Sequence, residues 1–438
     1  MEREASTPAR AALLVTVLAG LVGLATLGAC TGPPPRPTTT PTPSGLSGHL
    51  VWWDITTQTG ADSAMRDLIA GFEARNPEVT VDYVSLPADE ARGKIDTAAQ
   101  TASGAPDVLT LDSIWVADFA SRGYLARLDD TPAVDPTDDQ LASLVPTSKY
   151  DGRVVALPRS ADGTALLYNR AVLKQAGIAP PRTWAEMTAA RLRLTALGVD
   201  TLYLPADSSS LLPWIYGYGG DLVNADAKTI DIGSAAAAAG LSERVALQAT
   251  GVAVGDSSAG SVDAMAAAFR QGRVAMILDD AAALPGLVGG PATPTLRSIG
   301  IAPLPSGSVS ATSPLTGTAY AVYEGSKNLP ADYALVHYLD TAAAQASLAA
   351  RLGLLPTRAA AYADPSVKDD AVIQAFEPIV RGGTSLPQIP ENAQLLPPLD
   401  DALRRGVAGD GSPVQILGSV AASYSRTLPD FTLGPPAT

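Results

Sequence analysis

The stretch from Leu50 to Asp112 switches repeatedly between strand and helix periodicity, and this alternation restricts the fold more than any other feature. Leu50-Val51-Trp52-Trp53 is a short apolar run ending at Asp54, as expected of a buried strand. Met65, Leu68, Ile69 and Phe72 then recur at helical spacing until Asn76-Pro77 stops them. Val79 to Val84 alternates as a strand, and Ala88 to Ser103 is helical in composition. Gly104-Ala105-Pro106 turns the chain into a third strand, Asp107 to Asp112. Strand, helix, strand, helix, strand requires right-handed crossovers and predicts a parallel sheet. Such a sheet places binding groups beyond the carboxyl ends of its strands. Those ends carry Asp54-Ile55-Thr56-Thr57-Gln58 and Asp112-Ser113-Ile114-Trp115.

Later segments repeat the theme. Strands are predicted at Arg153–Pro158, Thr164–Asn169, Leu202–Pro205, Arg273–Asp280, Ile299–Leu304 and Ala319–Tyr323, with Arg159–Gly163 as a connector between the first two. Thr183-Trp184-Ala185-Glu186 reads as a capping box opening a helix through Leu197, with Trp184 in its core. Ser234 caps an Ala-rich helix, and a short helix runs from Met265 to Gln271. Residues 256–260 read as a polar loop. After Pro330 the chain is mostly helical, with Ser412-Pro413-Val414-Gln415 as a second capping box. With 438 residues there is room for two parallel-sheet lobes and a helical tail.

The first 48 residues carry an address. No charge occurs from Ala11 to Cys30, and Ala11–Leu27 is an apolar run after Arg3 and Arg10. It ends in Leu27-Gly28-Ala29-Cys30, which resembles the bacterial lipoprotein box. That resemblance implies a signal peptide over 1–29, removed to leave Cys30 carrying acyl chains of the palmitate kind. Cys30 is the only cysteine in the chain. A membrane-spanning anchor of roughly 20 residues is the competing reading. Two acyl chains suffice for stable anchoring. Residues 30–48, rich in Pro and Thr, form an extended tether, and the globule is expected to start near His49.

Composition removes several functions. Lys and Arg total 30 against 44 Asp and Glu, a net charge of −14 with no basic stripe, which argues against nucleic acid as a partner. One cysteine and two histidines, His49 and His337, leave no intrachain disulfide and almost no means of building a zinc or His-rich metal site, so no cofactor is expected. No Gly-x-Ser-x-Gly elbow, Walker loop or His–Glu zinc motif is present.

Six segments, in order, are similar to the carbohydrate-type extracellular solute-binding proteins of bacterial ABC importers, the maltose/trehalose-binding subgroup in particular. They are Phe72-Glu73-Ala74-Arg75-Asn76-Pro77-Glu78-Val79, Ala105–Asp112, Leu166–Arg170, Pro180–Glu186, Ala267–Met276 and Leu354-Leu355-Pro356-Thr357-Arg358. The resemblance implies an α/β, two-lobed Venus-flytrap fold with interleaved sheets. By it, one lobe takes 49–160 and 303–345, and the other 163–300 and 350–438, with hinge crossings near 161, 302 and 348. It implies capture of a sugar, a di- or oligosaccharide, between the lobes and delivery to ABC permease transmembrane subunits. By it the protein is a monomer on the outer face of the cell membrane and catalyses no reaction.

A sugar site needs acceptors for hydroxyls and apolar plates for C–H faces. Asp112 at a strand end and Asp162 at the first crossing match acceptor positions of the family; a turn or helix-cap role is the bland alternative. Thr57 and Gln58 match a loop that supplies polar contacts. Trp53, Trp115, Trp214, Tyr216 and Tyr218 are the nearby aromatic plates, and Trp214 and Tyr216, in a Gly-rich segment, are the preferred ones. Where the family has Gly-Pro-Trp this chain has Asp279-Asp280-Ala281, and where it has Gly-Gly-Trp this chain has Thr316-Gly317-Thr318-Ala319-Tyr320. Gly317 and Tyr320 are carried over as contacts. The family's late Arg-Pro motif is represented by Leu386–Asn392. Asp279 and Asp280 favour a hydroxyl-rich or cationic ligand over a sugar phosphate. A different polar solute on the same fold, a glycoside-processing lipoprotein using Asp112 and Asp162 as acid and base, and a ferric-ion binder using Tyr216 and Tyr218 are the rival readings.

Overall fold

A computed structural model describes residues 45–101, 104–134, 139–255 and 261–436. The predicted signal peptide, Cys30, most of the tether and the 256–260 loop lie outside the described residues.

The globule begins slightly earlier than expected, with strand β1 (Ser47–Asp54), which buries Leu50, Trp52 and Asp54 on one face. Helix α1 (Ala61–Glu73) turns Met65, Leu68, Ile69 and Phe72 inward. It stops where the Asn76 side-chain amide donates to the Phe72 carbonyl at 3.0 Å. Strand β2 (Glu78–Ser85), helix α2 (Ala88–Thr101) and strand β3 (Val108–Asp112) follow as predicted. Both β2 and β3 run parallel to β1.

The next strand differs from expectation. Arg153–Val154 belongs to a small hairpin, and β4 spans Leu157–Gly163, so the expected connector is itself a strand. Its Ser-Ala-Asp-Gly run has little intrinsic strand preference. Its conformation comes instead from antiparallel pairing with a strand about 155 residues later in the chain. After a single residue, Thr164, the chain enters a second sheet as β5 (Ala165–Asn169). That sheet is completed by β6 (Asp200–Tyr203), β7 (Ala253–Val254), β8 (Val274–Asp279) and β9 (Ile299–Ala302), in the order β7-β6-β8-β5-β9. The chain then returns to the first sheet with β10 (Pro314–Val322) and β11 (Thr384–Ser385). Neither sheet is purely parallel: β10 is antiparallel to β3 and β4, and β5 is antiparallel to β8 and β9. The departure follows from the crossings, since a strand entering directly from the other sheet has no helical crossover to set it parallel.

Helices α3 (Trp184–Thr195), α4 (Leu212–Gly217), α5 (Ala235–Ala249) and α6 (Ser261–Arg270) lie between the strands of the second sheet in sequence. The Thr183 hydroxyl caps Glu186 N–H at 3.1 Å. The Glu186 carboxylate reaches the Arg182 N–H at 2.7 Å, so the predicted capping box forms only half of its pattern. Helix α7 (Leu329–Asp340) packs on β1 and β10, and α8 (Ala342–Leu352) on α1. Helix α9 (Ala371–Gly382) touches β4 and β9, one strand from each sheet. Helices α10 (Asn392–Ala408) and α11 (Pro413–Thr427) pack on α5, and the Ser412 capping box is complete. Among the described residues no helix is long and apolar enough to cross a membrane.

The Leu354–Arg358 motif serves the architecture. Ala161 N–H donates to the Leu355 carbonyl at 3.0 Å, and the Thr357 hydroxyl donates to the Pro158 carbonyl at 2.6 Å. Arg358 pairs with Asp139 at 2.9 Å and with Asp340 at 2.5 Å. The motif thereby ties α7 and the segment after α8 to β4, beside the point where the chain changes sheets.

Candidate functional site

Strand β10 lies between β3 and β4, with Thr318 opposite Asp112 and Thr316 opposite Asp162. The two partners are two residues apart, so both side chains stand on the same face, with about 12 Å between their Cα atoms from two strand spacings and a two-residue offset. Gly317 sits between them with φ of 145°, and a Cβ there would meet the Ser160 carbonyl. Its role is therefore steric: it lets β10 close on β4, and it offers no side chain to a ligand.

The second sheet supplies Asp279, paired opposite Ala165 at the carboxyl end of β8, and Asp280 immediately after it. Asp162 and Asp280 together line a cavity of about 210 Å³ with Thr164, Ser208, Ser209 and Thr316, floored by Leu212, Pro314, Leu386 and Leu396. Carboxylates from both sheets thus converge on one space. Burial, then the charges of Asp280 and Asp112, push the Asp162 carboxyl up to about 7, with partial relief from Arg159. Burial and then Asp280 push Asp279 up to about 7. Burial also raises Asp112 and Asp280, each opposed by backbone N–H groups. Asp112 accepts from Ile114 N–H at 3.1 Å and caps a short 3-10 turn, so the expected capping role is real. The remaining lone pairs of these carboxylates are what a polyhydroxylated ligand would engage.

Thr57 and Gln58 are exposed at the end of β1 and free to meet a ligand; the Gln58 carbonyl starts α1 by accepting from Ala61. Trp53 and Trp115 are half-buried on the same side of the first sheet's core, and the Arg92 guanidinium lies 6.0 Å from the Trp115 ring.

Three aromatic expectations are corrected. Trp214 is fully buried and stacks on Trp184 with centroids 4.2 Å apart and planes 22° apart, under the Arg244 guanidinium at 5.6 Å. With both faces covered it is a core residue, not a sugar plate. Tyr216 is 6 % exposed within the apolar cluster holding Ile215, Leu386 and Ile389, and burial pushes its hydroxyl well above the ordinary range. Tyr320 is fully buried, and its hydroxyl accepts from Arg159 Nε at 3.0 Å. Aromatics next to glycines looked accessible in the sequence; helix α4 turns them inward instead.

Arg159 lies at the centre of a buried network. Its Nη1 donates to the Thr56 hydroxyl at 2.6 Å and stands 3.7 Å from Asp54 Oδ1. Asp54 accepts from the Tyr83 hydroxyl at 2.9 Å and from the Thr56 hydroxyl at 2.9 Å. Asp54, although at a strand end, thus braces the sheet rather than facing the cavity.

Ser208 and Ser209 were missed by motif reasoning. They follow Tyr203-Leu204-Pro205 at the carboxyl end of β6, so the strand-end rule applied to the second sheet would have found them. The late segment Leu386–Glu391 mainly lines a separate hollow of about 890 Å³ with Lys149, Tyr150 and Lys228, sharing only Leu386 with the acidic cavity. Among the described residues no group of three His, Cys, Asp or Glu side chains could hold a metal ion.

Comparison with known proteins points the same way. The pattern of the bacterial extracellular solute-binding protein family matches residues 56–346. The chain is similar to the GacH receptor of Streptomyces glaucescens GLA.O, solved unliganded and with acarbose. The two share 36 % identity over 88 % of this chain and 100 % of that one, with a TM-score of 0.77. The sugar-binding protein MalE of Xanthomonas citri has the same fold at 23 % identity, covering 87 % of this chain and 98 % of that one, with a TM-score of 0.77. A binding protein of Brucella abortus is 24 % identical over 374 residues, 82 % of this chain and 88 % of that protein.

Proposed function

Because the chain belongs to the bacterial extracellular solute-binding protein family, of the carbohydrate type, we propose that it is the membrane-tethered capture subunit of an ABC importer. It takes a di- or oligosaccharide into the cavity between its two sheets and hands it to the permease transmembrane subunits. The observation that carries this reading is that Asp162, on β4 of the first sheet, and Asp280, just after β8 of the second, line one cavity, while Asp112 and Asp279 stand at strand ends outside its lining. Asp112, Asp162, Asp280, Thr57 and Gln58 are the polar contacts, and Trp115 replaces Trp214 as the plate. The complex of the GacH receptor with acarbose supports an oligosaccharide-sized ligand.

In this reading the lobes, 49–160 with 303–345 and 163–300 with 350–438, rotate about the crossings near 161, 302 and 348 and close on the ligand. A thermal-shift screen of maltooligosaccharides and other sugars identifies the ligand, since binding to the native state alone raises stability by RT ln(1 + [L]/Kd). Solution scattering with that sugar at saturation is expected to show a smaller radius of gyration. Identical profiles with and without it would reject closure, and steady turnover of the sugar would favour the glycoside-processing alternative.

Tethering rests on Cys30. Cys30→Ala is expected to abolish acylation, leaving the protein unprocessed or released from the membrane fraction. Mass spectrometry of the mature N-terminus checks it: a chain beginning elsewhere and carrying no acyl group would rule the anchor out.

A further inference from the structure

Arg244, on α5, is fully buried, and among the described residues no carboxylate stands within ion-pairing distance of it. Burial pushes its guanidinium down to about 10, with partial relief from the charge of Asp207. A buried charge without a paired carboxylate is costly, and an apolar side chain could fill the same space without that cost. Packing alone therefore does not account for an arginine here.

Its donors converge on one loop. Nη2 donates to the Pro205 carbonyl at 3.0 Å and reaches the Ser210 hydroxyl at 3.4 Å. Nη1 donates to Gln248 Oε1 at 3.1 Å, and Nε finds no partner. The Trp214 ring, 5.6 Å away, supports the plane of the fork. Pro205 and Ser210 bracket the stretch that brings Ser208 and Ser209 to the acidic cavity. Within that stretch the Ser210 hydroxyl donates to the Pro205 carbonyl. Asp207 Oδ1 accepts from the Ser210 N–H at 3.0 Å and from the Ser209 hydroxyl at 2.6 Å. The Ser208 N–H donates to Asp400 on α10 at 2.6 Å. Among the described residues nothing hydrogen-bonds the Ser208 hydroxyl, which is left for the cavity. One guanidinium thus clasps both ends of a loop whose middle lines the site.

We propose that Arg244 is a positioning residue for ligand capture: it closes the Pro205–Ser210 loop so that the Ser208 and Ser209 hydroxyls are set before a sugar enters. This rests on the sugar-binding reading above and adds to it a residue that neither motif nor strand-end reasoning singles out. Ordering the loop in advance lowers the entropy that binding would otherwise lose. The ligand-free fold bears the cost instead, as a buried cation without a counter-ion.

Arg244→Met keeps an apolar stem against Trp214 and removes the charge and the donors. It is expected to melt within about 4 °C of the wild type, because loss of an unpaired buried charge offsets the lost hydrogen bonds. Titration calorimetry should show it binding about tenfold more weakly to maltotriose, or to whichever sugar the thermal-shift screen identifies. In the ligand-free variant, amide exchange should accelerate over residues 207–211 while β6 and β8 keep their protection. Arg244→Lys restores a donor for the Pro205 carbonyl and should recover part of the affinity. Ser210→Ala, a smaller change at the same clasp, should cost about threefold and carries the test if the Met variant does not fold. Coupling separates positioning from a general structural role. With Ser208→Ala and Ser209→Ala already in place, Arg244→Met, or Ser210→Ala in its stead, should weaken binding by less than about twofold, since it acts through those hydroxyls. Unchanged affinity in both Arg244→Met and Ser210→Ala, or an undiminished loss in the background lacking the two serines, would overturn the inference and leave the sugar-binding reading intact. If no sugar in the screen binds the wild type, that reading falls and this inference with it.

Discussion

Asp162→Asn is expected to make the ligand-free protein more stable by about 2 kcal/mol near pH 8, although Asp162 lines the acidic cavity. Burial and the facing carboxylates hold the folded-state pKa of Asp162 at about 7, against an ordinary value of 3.8. Between those values the folded state keeps a proton that the unfolded chain has released. Stability therefore falls as pH rises from about 4 to about 7, and the full penalty is present above that. A shift of roughly three pH units sets a ceiling of about 4 kcal/mol, and screening by water in the cavity justifies about half of it. Asparagine has no charge to bury and removes the penalty. Denaturant unfolding should show the gain near pH 8 and a much smaller one near pH 4.5. A loss of stability near pH 8, or an equal gain at both, would contradict the account. The site would then illustrate stability given up for recognition.

Arg159→Met should have the opposite and larger effect, a loss of about 3–5 kcal/mol, because it strands the fully buried Asp54 carboxylate without its cation. It also leaves the Tyr320 and Thr56 hydroxyls without their donor. The combination Arg159→Met with Asp54→Asn should recover part of the loss, since the uncompensated charge is gone while an acceptor for the Tyr83 hydroxyl remains. Equilibrium unfolding of the two single variants and the double variant measures this. Simple additivity of the single losses would mean that the 3.7 Å pair carries no coupling. The same geometry sets Asp54 apart from the other aspartates at strand ends, since a buried guanidinium and the Tyr83 hydroxyl hold it.

Much of the fold could be read from the chain because its signals are local. The period-two and period-3.6 patterns of β1, α1, β2, α2 and β3, the Asn76-Pro77 stop and the Ser412 capping box each depend on residues within a few positions of one another. Strand ends could also be read, and with them Asp112, Asp279 and Asp280, since a parallel strand's carboxyl end is defined by where its apolar run stops. Asp162 was placed by resemblance, while the strand that carries it went unrecognised.

What needed the tertiary structure was pairing and facing. β4 is a strand because β10 lies beside it, and Gly317 is glycine because the Ser160 backbone comes so close. Trp214 and Tyr216 have the composition of a sugar platform, but a six-residue helix points them into the core, where Trp184 covers the indole. Asp54 and Asp112 end neighbouring strands and look alike in sequence, yet a buried guanidinium claims one and the cavity side of the sheet receives the other. Backbone periodicity is set by nearest neighbours along the chain. Whether a polar or aromatic side chain meets solvent, ligand or a partner depends on residues about 30 to 160 positions away, and only chain folding brings those into contact.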